Sequence, residues 1–126
     1  MSGFDAIEVA RRVLAVEAQA LGQLSESLSA DFSEAVETLF RAKGRVVCTG
    51  IGKSGHVARK IAATLASTGT PAMFVHAAEA SHGDLGMVGS DDVVLALSKA
   101  GEGWPIPCGQ TSASAIIAAA INAIRG

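Results

Sequence analysis

Gly50-Ile51-Gly52-Lys53-Ser54-Gly55 places three glycines, a lysine and a hydroxyl within six residues. Such a turn can bend sharply and bring backbone amides close to an anion. Where a helix follows, the positive end of its dipole adds to the attraction. Lys53 supplies a mobile positive charge. The plain alternative is a strand-to-helix connection with no ligand. A nucleotide P-loop would need a glycine at position 47, where Val47 stands. A dinucleotide fingerprint would need an acid at the end of the next strand, and that strand ends in His76.

A second group, Glu79, His82 and Asp84, falls in Glu79-Ala80-Ser81-His82-Gly83-Asp84. Carboxylates and an imidazole this close together on a loop can move protons or hold sugar hydroxyls. A solvated polar loop is the bland reading of the same residues. His76, His82 and a carboxylate could geometrically satisfy Zn²⁺, but their spacing matches no compact site, and no metal is expected.

These groups need elements to hold them. Residues 45–49 form a short β-branched run ending in glycine, and residues 54–67 carry Val57, Ile61 and Leu65 on one helical face. Gly69 and Pro71 break the chain before a second strand at 72–76, and residues 77–86 read as a loop. Asp91 and Asp92 lead into a third apolar strand at 93–97, which ends in another turn of small residues. Strands alternating with helices predict an α/β fold with a doubly wound parallel sheet, whose ligands sit at the carboxyl ends of the strands. The glycine turn, the loop at 79–84 and the small-residue turn after the third strand all fall at strand ends.

Upstream, Ile7, Val9, Val13, Leu14, Val16, Leu21 and Leu24 recur at helical spacing among charged residues. Asp31 and Glu34 suit a capping pair for a second helix carrying Phe32, Ala35, Val36, Leu39 and Phe40, with Gly44 at its exit. Downstream, residues 103–110 form a turn-rich linker with Trp104, Pro105 and Pro107. Residues 112–124, rich in alanine and isoleucine, predict a closing helix capped by Thr111 or Ser112.

A length of 126 residues, with 49% hydrophobic and 17% charged residues, fits one globular domain. The net charge of -2 offers no basic footprint for nucleic acid. Nothing resembles a signal peptide, and no apolar run approaches the ~20 residues of a membrane span. Cys48 and Cys108 lack metal-ligand spacing and suit reduced thiols in a cytoplasm.

Residues 1–102 resemble the SIS (sugar isomerase) domain of the arabinose-5-phosphate isomerase family. The resemblance rests on the glycine turn, on Glu79-Ala80-Ser81-His82-Gly83-Asp84 and on Leu97-Ser98-Lys99-Ala100-Gly101-Glu102. It implies a flavodoxin-like SIS fold, incomplete here, and interconversion of D-ribulose 5-phosphate and D-arabinose 5-phosphate through an enediol, on the route to the Kdo sugar of lipopolysaccharide. It implies no redox cofactor. By similarity, Lys53 and His82 are catalytic, and Gly50, Gly52, Ser54, Glu79, Ser98 and Glu102 contact the sugar phosphate.

The match has departures. The family's His-Pro is His76-Ala77 here, and its phosphate loop, Ser-x-Ser-Gly-Glu-Ser/Thr, is Ser98-Lys99-Ala100-Gly101-Glu102-Gly103, without two of its hydroxyls. A carboxylate of the family's acid-base set falls on Pro105. The expected organisation is N-terminal helices at 1–44, a partial SIS core at 45–102 and a divergent linker and helix at 103–126. This tail reads as a frameshifted or internally deleted continuation, with no counterpart of the family's CBS modules. Two functional readings follow: a phosphosugar isomerase, or a non-catalytic module that binds a sugar phosphate or another SIS subunit. The apolar helices and an unpaired sheet edge predict self-association or pairing with an intact SIS subunit.

Overall fold

The computed structural model describes residues 3–77, 87–98 and 115–120. The chain divides between Ser33 and Glu34 into two compact units.

The first unit is dominated by helix α1, Ala6–Ser27. Five alanines at positions 6, 10, 15, 18 and 20 favour the helix intrinsically. Asp5 caps it, its carboxylate accepting from the Ile7 and Glu8 amides at 2.9 and 3.2 Å. Helix α2, Ala30–Phe40, straddles the division. Asp31 lies inside its first turn and is therefore not the expected N-cap; the Ser29 carbonyl instead accepts from the Phe32 amide at 3.1 Å. Gly44 likewise does not end this helix in a left-handed conformation. It is needed for close packing, since a Cβ there would meet the Asp92 carboxylate and lie 2.8 Å from the Asp91 carbonyl.

The second unit holds a parallel sheet. Strands β1 (Val46–Gly50), β2 (Ala72–Phe74), β3 (Val93–Ser98) and β4 (Ala115–Ala120) lie in the order β2-β1-β3-β4, with helix α3 (Lys53–Ser67) between β1 and β2 in the chain. The central strand β1 is buried along its whole length. One of its faces sends Val46 and Cys48 against Ala58 and Ala62 of α3, together with Leu97. The opposite face sends Val47 against Val75, Val88, Val94 and Ala96. Burial on both faces explains why β1 reads as a continuous apolar run rather than an alternating one. It also pushes the Cys48 thiol up to about 11, so this cysteine packs as a small apolar side chain.

The alanine-rich tail corrects the sequence expectation. Where a helix was predicted over 112–124, residues 115–120 form β4, paired in parallel with β3 from Val93↔Ala115 to Ser98↔Ala120. Alanine favours helix, but propensity is a weak prior, and β3 presents an edge whose hydrogen bonds decide the outcome. The described sheet therefore has four strands rather than three.

Asp92 fastens the amino ends of β1 and β3. Its carboxylate accepts from the Arg45 amide at 2.7 Å and the Gly89 amide at 2.8 Å, with the Arg45 guanidinium 3.7 Å away. These two amides, and then the Arg45 charge, hold the Asp92 carboxyl below the usual carboxylate range despite its burial. Asp92→Ala removes the charged acceptor of both amides and is expected to destabilise the unit by about 2 kcal/mol at neutral pH. Because the folded-state value is depressed, this contribution is present above an unfolded pKa near ~3.9 and lost as pH falls through the folded value. Chemical unfolding of both proteins across pH checks this: a stability gap that does not narrow below about pH 4 would contradict the assignment.

Candidate functional site

In the order β2-β1-β3-β4 the chain leaves β1 toward one side, then returns to the other to form β3. The reversal makes a topological switch point between β1 and β3, and ligands of doubly wound sheets bind outside the carboxyl ends of strands at such a point. Gly50, the last residue of β1, pairs with Leu97 there, and Ser98 closes β3 one residue further on.

The glycine turn has physical reasons for its composition. A Cβ on Gly50 would lie 2.9 Å from the Ser54 carbonyl carbon, and one on Gly55 would lie 2.8 Å from the Gly50 carbonyl oxygen. Helix α3 thus starts with its backbone directly against the end of β1. Gly52 precedes the helix at φ 58°, a region that favours glycine. Alanine at position 55 would by propensity alone stabilise α3 by about 1 kcal/mol. Overpacking against Gly50 should reverse that sign, so Gly55→Ala is expected to lose about 1–2 kcal/mol net. A net gain in a urea unfolding experiment would refute the close approach.

No side chain caps the N-terminus of α3, and its first turn carries no acid. Lys53 stands exposed at its first position, and Ser54 is half-buried behind it. Among the described residues, neither ion pair involves Lys53. Aligned amides, a helix dipole and an ammonium therefore meet at the switch point with no carboxylate in the turn to neutralise them, which is an arrangement suited to an anion.

Of the residues singled out from sequence, Gly50, Gly52, Lys53 and Ser54 come together in this turn, and Ser98 ends the neighbouring strand. Glu79, His82 and Glu102 lie outside the described residues.

Sequence reasoning weighed His76 only as a metal ligand and missed its neighbours: His56 and Arg59 on α3 share a recess with Phe74, the last residue of β2, and His76 just beyond it. Their i, i+3 spacing on a helix and i, i+2 spacing along an extended segment were the available signals. Thr49 is buried beside the turn, and its Oγ1 has no hydrogen-bond partner among the described residues.

The fold and the turn define a doubly wound α/β domain with an uncapped, acid-free helix terminus at its switch point. The chain belongs to the SIS domain family, whose sequence profile matches residues 38–103, more than half of its length. It is 55% identical over 100 residues to arabinose 5-phosphate isomerase KdsD of Yersinia pestis and 59% identical over 97 residues to the KdsD of Pseudomonas aeruginosa. Those matches cover 79% and 77% of this chain but 30% of each relative, so the chain spans under a third of the proteins it resembles. The solved structure of E. coli CFT073 c3406 in complex with arabinose 5-phosphate superposes with a TM-score of 0.76 at 45% identity, covering 84% of this chain and 56% of that one.

Proposed function

We propose that this chain carries the phosphosugar-handling part of an aldose-ketose isomerase of the arabinose 5-phosphate type. The observation that carries the reading is the uncapped, acid-free start of α3 at the switch point, with Lys53 in its first turn. The likeness to a chain solved with arabinose 5-phosphate supports the ligand class. In this reading, the reaction moves a proton between C1 and C2 through an enediol, which requires an acid-base group and a cation beside the developing oxyanion. His82 takes the first role and Lys53 the second. Gly50, Gly52 and Ser54 approach the ligand from the turn, Ser98 from the end of β3, and Glu79 and Glu102 hold hydroxyls. No cofactor enters the chemistry.

A second reading, a non-catalytic module that binds the sugar phosphate, is favoured by Ala100, Gly103 and Pro105 standing where hydroxyls and a carboxylate occur in the family pattern. Both readings require a pentose phosphate at the turn. Titration by amide NMR tests that requirement: about 20 mM pentose phosphate, well above a millimolar dissociation constant, should shift residues 50–54. Unshifted resonances there would remove both readings.

Among the described residues no helix is long and apolar enough to cross a membrane. A phosphorylated substrate and the buried free thiol of Cys48 fit a reducing cytoplasm. We also propose that a second copy of the chain covers α1. Ile7, Leu14 and Leu21 recur every seven residues with Leu28 following, and they are 63%, 63%, 65% and 51% exposed. Seven-residue spacing is the repeat by which two helices bury a shared seam. Light scattering at tens of micromolar, the range in which exposed apolar surface associates, should give a dimer or larger. A monodisperse monomer would overturn it.

A further inference from the structure

Beside the glycine turn, between α3 and the end of β2, lies a recess of about 110 Å³ lined by Gly52, Gly55, His56, Arg59, Phe74 and His76. We propose that it is an oxyanion site for a phosphate group, read by the side chains of His56, Arg59 and His76 and bordering the glycine turn at Gly52.

Three nitrogen-bearing residues line it, two from α3 and one from the segment that follows β2. His56 and Arg59 stand three residues apart on α3, and His76 follows Phe74 by two residues. The Arg59 guanidinium carbon sits 4.4 Å from the Phe74 ring centroid. That cation–π contact sets the guanidinium over the Phe74 ring at the recess, and its planar fork of N–H donors suits bidentate recognition of phosphate. The Phe74 ring meets the His76 imidazole edge-on, at 83° and 6.4 Å between centroids, which orients this ring as well.

The rest of the lining supplies room without charge. Gly52 and Gly55 contribute backbone only, and no acid among the described residues lines the recess. Among the described residues, neither ion pair engages Arg59. The volume holds several water-sized groups, enough for a tetrahedral oxyanion. A phosphate monoester and free phosphate share the chemistry that this lining recognises.

The inference rests on the function proposed above only for the identity of a sugar-bearing ligand, so the test begins with inorganic phosphate. Phosphate and then arabinose 5-phosphate are titrated at constant ionic strength, observing the Arg59 Nε–H and the His56 and His76 ring resonances. Wild type, Arg59→Gln, Arg59→Lys and His56→Gln are compared, each first shown to be folded by its amide spectrum. Phosphate should shift all three side chains. Arg59→Gln should weaken binding at least tenfold, the scale of a lost charge-assisted pair. Arg59→Lys, which keeps the charge and loses the fork, should fall between, and His56→Gln should weaken binding by a smaller factor.

A response to both ligands assigns the site to a monoester, and a response to phosphate alone assigns it to the free anion. Shifts confined to residues 50–54, or an Arg59→Gln affinity within twofold of wild type, would overturn the proposal. Side-chain shifts at His56, Arg59 and His76 with phosphate, but none at Lys53 and Ser54 with pentose phosphate, would instead sink the isomerase reading and leave this one standing.

Discussion

The purified 126-residue chain is expected to isomerise arabinose 5-phosphate at least ~10²-fold more slowly than a full-length SIS-type isomerase. The reason is chemical. An enediol mechanism needs a base placed within hydrogen-bond reach of the migrating proton, and one positioned acid-base group contributes about 10²–10⁴ in rate. Where the family pattern supplies a carboxylate, this chain has Pro105, whose ring can neither accept nor return a proton. Ala100 and Gly103 also lack the hydroxyls that would hold the phosphate and keep C1 and C2 in place. Imprecise placement lowers rate even where every reacting group is present. A coupled assay with both proteins at equal concentration measures the ratio. A rate within tenfold of the longer enzyme would overturn the expectation and would mean that another side chain of this molecule serves as the base.

The parts of the fold that were legible in sequence are those fixed by local physics. The β1-turn-α3 segment could be read because its period changes from a continuous apolar run to helical spacing at the glycines, and the structure places the change at Gly52 and Lys53. The packing reason for Gly50 and Gly55 was less visible, since a close backbone approach is a property of two elements together. Residues 115–120 were misread for a related cause: Ala-Ile-Ile-Ala-Ala-Ala satisfies a helix and a buried strand equally, and only the open edge of β3 distinguishes them. Asp92 looked like a turn residue leading into β3. Its role emerges from the Arg45 amide, 47 positions away in the chain. The recess was hidden in the same way, because His56 and Arg59 acquire their meaning only once Phe74 and His76 stand opposite them.

Lys53→Ala should weaken pentose phosphate binding by roughly 1.5 to 3 kcal/mol, typical of a lost hydrogen bond to a charged group and equivalent to about 10- to 150-fold. Lys53 is exposed in the first turn of α3, and neither ion pair among the described residues engages it. Its removal should therefore change folding stability by no more than about 0.5 kcal/mol, as for a surface position without special contacts. That separation makes the experiment informative, because a fall in affinity at unchanged stability must come from the ligand side. Lys53→Arg keeps the charge on a longer, planar group and should recover part of the loss. If the wild-type dissociation constant is near 1 mM, about -4 kcal/mol, the alanine variant should bind no tighter than about 10 mM, still within reach of an NMR titration. A loss below threefold would show that the amides at the start of α3 hold the anion without the lysine and would remove Lys53 from the proposed chemistry.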